Sequence, residues 1–167
     1  AQSGLHPANC RLLDANEAML NGVFTGEGGA VVLLGFESYD HAPDAAIARA
    51  LELCAVHGGA SPDGVTRREA ASSGQREGMS QRWRDAFLGA PYLQSALVSV
   101  GVMADTFETA CTWSRFGALH RDVVASVTQA LATHCGGGRV TCRFTHVYPD
   151  GVAPYYTFLG RARAGDE

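Results

Sequence analysis

The stretch Arg139-Val140-Thr141-Cys142-Arg143-Phe144-Thr145-His146-Val147-Tyr148-Pro149-Asp150-Gly151-Val152-Ala153-Pro154-Tyr155-Tyr156-Thr157-Phe158-Leu159 decides the fold. Pro149-Asp150-Gly151 is a strong turn signal, and the runs on either side are rich in Val, Thr, Phe and Tyr. Two antiparallel strands, residues 139–148 and 154–159, therefore close the chain as a hairpin. Immediately upstream, Thr112 or Ser114 caps a long helix. Its Trp113, Phe116, Leu119, Val123, Val127, Ala130 and Leu131 fall on one apolar stripe, and Gly136-Gly137-Gly138 ends it. Before that helix, residues 100–108 alternate as a strand, with Val102, Ala104 and Thr106 on one side and Met103, Asp105 and Phe107 on the other.

Toward the N-terminus, residues 10–13 form a short strand that ends at Asp14. Asp14 followed by Glu17 is a helix-start pattern leading into residues 15–20. The Gly-rich residues 22–29 make a loop or hairpin, and the continuous apolar run 31–36 reads as a buried strand. A helix follows: Asp40 precedes it, Pro43 sits in its first turn, Ile47, Ala50, Leu51 and Cys54 repeat along it, and Gly58-Gly59 closes it. Residues 61–80 are a polar loop. Residues 83–88 and 92–98 read as two short helices hinged at Gly89-Ala90-Pro91. Setting the first short pieces aside, the order is strand, helix, strand, long helix, strand, strand. That order specifies an α+β fold: a ferredoxin-like antiparallel sheet with helices on one face.

The 167 residues suffice for one domain with its own core, and 46% apolar with 18% charged residues is an ordinary globular composition. No apolar run approaches the ~20 residues of a spanning helix, so no membrane span is expected. A net charge of −4 argues against nucleic acid as the main partner. All thirteen basic residues are Arg, which together with abundant Ala and Gly fits a GC-rich bacterial genome. Five Cys without a Cys-x-x-Cys spacing argue against a zinc site or a disulfide framework, and point to a reducing cytoplasmic setting. No signal peptide is visible, no initiator Met is present, and the chain opens as if cut from something longer.

No G-x-G-x-x-G follows a strand, and neither a Walker-type loop nor an H-E-x-x-H is present. Gly26 to Gly29 fits a flexible hairpin better than a phosphate loop. The chemistry concentrates in the final hairpin, where Arg, His, three Tyr and Asp surround one tight turn. From the residues alone, amphipathic strands with aromatic cross-strand pairs are the more ordinary use of those side chains, and that structural reading stays open.

Four segments taken together, and in order, resemble one family. They are Asn9-Cys10-Arg11-Leu12-Leu13-Asp14, Trp83-Arg84-Asp85-Ala86-Phe87-Leu88, Thr106-Phe107-Glu108-Thr109-Ala110-Cys111-Thr112-Trp113 and the hairpin itself. The family is the alkyldihydroxyacetonephosphate synthase-like branch of the FAD-linked oxidases of vanillyl-alcohol-oxidase type. The resemblance runs along essentially the whole chain. It implies a C-terminal, substrate-binding cap domain, with the FAD-binding N-terminal domain and the family's His-rich loop lying outside this sequence. FAD is then expected in the complete enzyme and not as a tight ligand of these residues alone.

The resemblance also implies a site. Tyr155 falls on an active-site tyrosine that handles a substrate proton, a task that suits a phenol able to donate and accept. Arg11 falls on an arginine facing the active site, where a guanidinium matches a phosphate or carboxylate. Pro91-Tyr92-Leu93 is followed by Gln94 where the family has a second arginine, and Gln can hydrogen-bond an anion but not neutralise it. His146 and Tyr148 complete the expected pocket. His146 matches only the first His of a metal motif seen in related oxidases, so no metal site is expected. The implied partner is a small, anionic substrate, with alkyl-for-acyl exchange on a glycerone phosphate ester as the leading reaction. Oxidation of an alcohol or 2-hydroxy acid is the alternative within that class. A free-standing ferredoxin-like module that binds a ligand, or forms a homodimer through its sheet, is the alternative outside it.

Overall fold

A computed structural model of the chain describes residues 1–23, 29–67 and 79–162. In chain order these form β1 (Asn9–Leu13), α1 (Ala15–Leu20), β2 (Val31–Gly35), α2 (Asp44–Val56), α3 (Met79–Ser99), β3 (Val102–Glu108), β4 (Cys111–Thr112), α4 (Trp113–Cys135), β5 (Gly138–Val147) and β6 (Gly151–Arg161). The strands make one antiparallel sheet in the order β2-β1-β5-β6-β3, with β4 paired to the start of β6. The expected α+β class and antiparallel sheet are what the chain forms.

The long amphipathic stripe lies where the periodicity puts it. Trp113, Phe116, Val123 and Val124 of α4 pack on Cys142, Phe144, Val152 and Tyr156 of the final hairpin. Phe116 meets Phe144 edge-on at 4.8 Å between ring centroids, and Trp113 approaches the same ring at 6.1 Å. Ala130, placed on the stripe by periodicity, is exposed; Val124 takes part instead. The helix ends at Gly136 in the left-handed conformation, whose N–H donates to the Leu131 carbonyl. Two glycines let α4 and its entry strand lie close to the sheet. A side chain at Gly151 would collide with the Cys111 carbonyl, and one at Gly160 would come within 2.8 Å of Cys135 Sγ. The hairpin turn is fastened to the helix start by Trp113, whose Nε1–H donates to the Tyr148 carbonyl at 3.1 Å.

On the other side of the sheet a second cluster joins Leu13, Ala18, Val23, Val31 and Leu33. α1, which the layer order set aside, thus covers the β1–β2 corner opposite α4. Its start holds the two ends of the chain together. Asp14 Oδ1 accepts from the Glu17 N–H at 2.6 Å, as a capping residue should. Asp14 Oδ2 accepts from the Cys142 N–H, and the Asp14 N–H donates to the Cys142 carbonyl. The strand-like link to β5 takes the N–H that Glu17 would satisfy in a full capping box, so the Glu17 carboxylate is released to point elsewhere.

Several local expectations are corrected. Residues 83–88 and 92–98 belong to a single helix, α3, that continues through Gly89-Ala90-Pro91. Proline there removes one helical N–H, and the turns on either side suffice to carry the helix past it. The run 31–36 is not a fully buried strand. β2 is an outer strand, pairs among the described residues with β1 alone, and alternates: Val31 and Leu33 are buried while Val32 is 48% exposed. Before α2, Pro43 stands at the cap position instead of in the first turn, with no side-chain cap. The Asp40 carboxylate bonds to Ser38 and His41 instead. The Gly26 segment and most of the 61–80 loop lie outside the described residues.

Beneath α4, burial and the nearby Asp14 carboxylate push the Cys142 thiol up from 9.0 to about 12. Burial also raises the Tyr156 hydroxyl above its ordinary value of 10.0. Both groups hold their protons more tightly folded than unfolded, so unfolding releases protons once the medium exceeds the unfolded values. Their contribution is complete below pH 9 and is lost as pH rises toward 12. The urea midpoint should be flat from pH 7 to 8.5 and fall steeply above pH 9. Burial also raises the Cys10 thiol from 9.0, so it is the double variant Cys10→Ala with Cys142→Ala that should move the onset of that fall toward pH 10, where Tyr156 begins to act. An onset unmoved in the double variant would show that both thiols stay free to ionise.

Candidate functional site

Side chains directly opposite one another in a sheet share a face, and this sorts the hairpin residues. Tyr155 lies opposite Arg143 on β5 and opposite Glu108 on β3. Arg143 also lies opposite Leu13, two residues from Arg11. All of these are on the side away from α4. Near the turn the register slips between Phe144 and His146, so that Phe144 faces Pro154 while His146 faces Ala153. This β-bulge rotates His146 onto the Tyr155 side even though Phe144, two residues earlier, is under α4. His146 then stacks on Tyr148, with ring centroids 6.0 Å apart and planes within 9°.

The bulge also positions Arg11. Where the β1–β5 ladder stops, Arg11 Nη1 donates to the Thr145 carbonyl at 3.0 Å. A backbone acceptor that the irregular register would leave unmade is thereby paired. Tyr155 is held from two directions. Its hydroxyl donates to Thr106 Oγ1 at 2.7 Å, and the Arg143 guanidinium carbon sits 3.9 Å from the centre of its ring. Arg143 in turn donates from Nη1 to Glu17 Oε1 at 2.7 Å, and Glu17 Oε2 accepts a short bond from the Thr141 hydroxyl. Glu17 is 1% exposed and the Arg143 side chain 15%, so this is a buried ion pair at the edge of an otherwise open surface.

Of the residues expected in the site, Arg11, His146, Tyr148 and Tyr155 share the side of the sheet opposite α4. Gln94 lies on α3, and its Nε2 donates to the Ala104 carbonyl of β3 at 3.1 Å. Arg143, Thr106 and Glu17, which touch or support Tyr155, were not among the expected site residues. Only Arg143 carried a signal, as one of the charged groups of the hairpin.

A family model described as FAD linked oxidases, C-terminal domain, matches residues 1–167. The chain belongs to that family. Two solved structures titled alkyldihydroxyacetonephosphate synthase, in two crystal forms, share the architecture of this FAD-linked oxidase C-terminal domain. They superpose with TM-scores of 0.71 and 0.73 at 16% sequence identity over 96% and 97% of the chain. The chain spans about a third of those proteins, 31% and 32% of their lengths. No curated protein sequence matches it. The family implies FAD in the complete enzyme. The side of the domain opposite α4 suits the ring end of such a cofactor: it offers the flat His146–Tyr148 stack and the Tyr155 hydroxyl. Among the described residues no Gly-rich turn opens a helix in the way a pyrophosphate cradle requires. No helix among them is long and apolar enough to cross a membrane.

Proposed function

We propose that this domain is the substrate-covering part of an FAD-dependent oxidoreductase or synthase. In this reading the side carrying Arg11, His146, Tyr148 and Tyr155 closes over the cofactor ring held by a separate FAD-binding domain. The observation that carries it is the division of the sheet: one side is filled by α4 with aromatic packing, while the other gathers a phenol, an imidazole and two guanidinium groups in partly exposed positions. FAD, when bound, supplies the electron-accepting ring. The domain's own residues bind, orient and exclude water. Arg11, fixed on the Thr145 carbonyl, provides positive charge for a phosphate or carboxylate. The Tyr155 hydroxyl, already donating to Thr106, holds a proton at the atom best placed to pass one to or from the substrate.

The leading reaction is the one the family resemblance implies, alkyl-for-acyl exchange on a glycerone phosphate ester; the similar structures are titled alkyldihydroxyacetonephosphate synthase. Gln94 favours a second reading. Its amide is engaged with the backbone of β3 where the resemblance places an arginine, which leaves the site one cation short and suits a less anionic alcohol or hydroxy acid. Two variants of the complete enzyme separate these readings. Arg11→Lys keeps the charge but loses the planar fork, so an anionic substrate should bind about tenfold more weakly. Gln94→Arg should be tolerated, or should tighten binding, if the substrate is a phosphate ester. It should impair turnover of a neutral alcohol by adding an unpaired charge. Unchanged KM and kcat in both variants would remove this surface from the site.

A further inference from the structure

The buried carboxylate of Glu17 has no place in the chemistry described so far, and it is costly to keep. A charge taken out of water is retained only where a partner of opposite charge and further hydrogen bonds compensate. Glu17 has both, in Arg143 and Thr141, and Arg143 lies directly over Tyr155. We propose that Glu17 is a positioning residue for Tyr155, acting through Arg143. The proposal rests on the reading of Tyr155 as the proton-handling group.

The geometry supplies the reason. A long arginine side chain has many rotamers, and ordering it costs side-chain entropy. The Glu17 carboxylate selects one of them and so fixes the guanidinium plane on one flank of the Tyr155 ring. On the other strand, Thr106 receives the hydroxyl. The phenol is held by its ring and by its oxygen, from β5 and β3 respectively. Glu17 itself is fixed because Asp14 ties the first turn of α1 to Cys142, one residue from Arg143. The chain of contacts runs from a helix start, through a buried ion pair, to the one hydroxyl expected to move a proton.

The test uses the full-length, FAD-containing protein labelled with ¹³Cζ-tyrosine, the Tyr155 signal being assigned by its loss in Tyr155→Phe. Glu17→Gln alone strands a buried guanidinium and endangers folding, so the informative variant is the double change Glu17→Gln with Arg143→Met, which removes the pair together. The expected result is a displaced or broadened Tyr155 signal, with the Tyr156 signal beneath α4 unmoved. With it, kcat should fall about 10- to 100-fold while KM stays within twofold, the signature of a misplaced catalytic group. Arg143→Lys, which keeps the charge and the pairing but not the flat stack, should restore little of the lost rate. A Tyr155 signal unmoved in the folded double variant overturns the proposal. So does an unchanged kcat in that variant when Tyr155→Phe is inactive. If the signal moves while neither the double variant nor Tyr155→Phe loses rate, the positioning stands and it is the role given to Tyr155 that fails.

Discussion

Tyr155→Phe is expected to lower kcat of the complete enzyme by about 10²- to 10⁴-fold, the usual contribution of a positioned acid–base group. The substitution removes one oxygen and leaves the ring, so the stack under Arg143 survives. What is lost structurally is the single hydrogen bond to Thr106, worth about 1 kcal/mol. KM should therefore stay nearly unchanged, and the thermal midpoint should drop by only a few degrees. Thr106→Val is the companion measurement: it keeps the phenol but removes its acceptor, and should cost less rate than Tyr155→Phe. A Tyr155→Phe enzyme with full activity would return the hairpin aromatics to a purely structural role.

The largest effect on stability is expected under α4. Phe144→Ala removes the ring that Trp113 and Phe116 both contact, at a site only 7% exposed, and should cost about 3–5 kcal/mol. Phe116→Ala should cost about 3 kcal/mol, the lower end of that range, because the Phe116 ring is only partly buried. Urea denaturation of the two variants checks both values. A near-neutral Phe116→Ala would mean that α4 presents a different stripe to the sheet.

The elements that follow from local pattern were legible: the amphipathic α4, the Asp14 cap, and the hairpin at Pro149-Asp150-Gly151. What pattern could not supply was phase. Counting back from the turn in an unbroken ladder puts Phe144 opposite Tyr155, whereas the structure puts Arg143 there. The difference is the one-residue bulge at Thr145, and no residue type at that position announces it. The membership of Arg143 in the site was hidden for that reason alone. Glu17 was hidden by distance: its helix-start role is local, but the partners of its carboxylate lie 124 and 126 positions away. The edge character of β2 was missed because a run of apolar residues looks the same whether one side or both are covered. At Pro91, neighbouring turns outweighed the local tendency to end a helix.

β1 is an inner strand of the sheet although it is made before the strands that flank it. Its neighbours arrive at very different times. β2 is finished within a few tens of residues, but the Cys142 backbone that Asp14 binds is 128 positions later in the chain. At roughly 5–20 residues per second, synthesis of that interval occupies on the order of ten seconds. During that time the β1–β2 pair has one edge without its eventual neighbour, on a segment that includes Leu12 and Leu13. The pairing that creates the Arg11–Thr145 and Arg143–Glu17 contacts is therefore a late step in folding, and one of high contact order. Strand assembly and assembly of the proposed site surface are thus the same event, and nascent chains shorter than the final hairpin have neither.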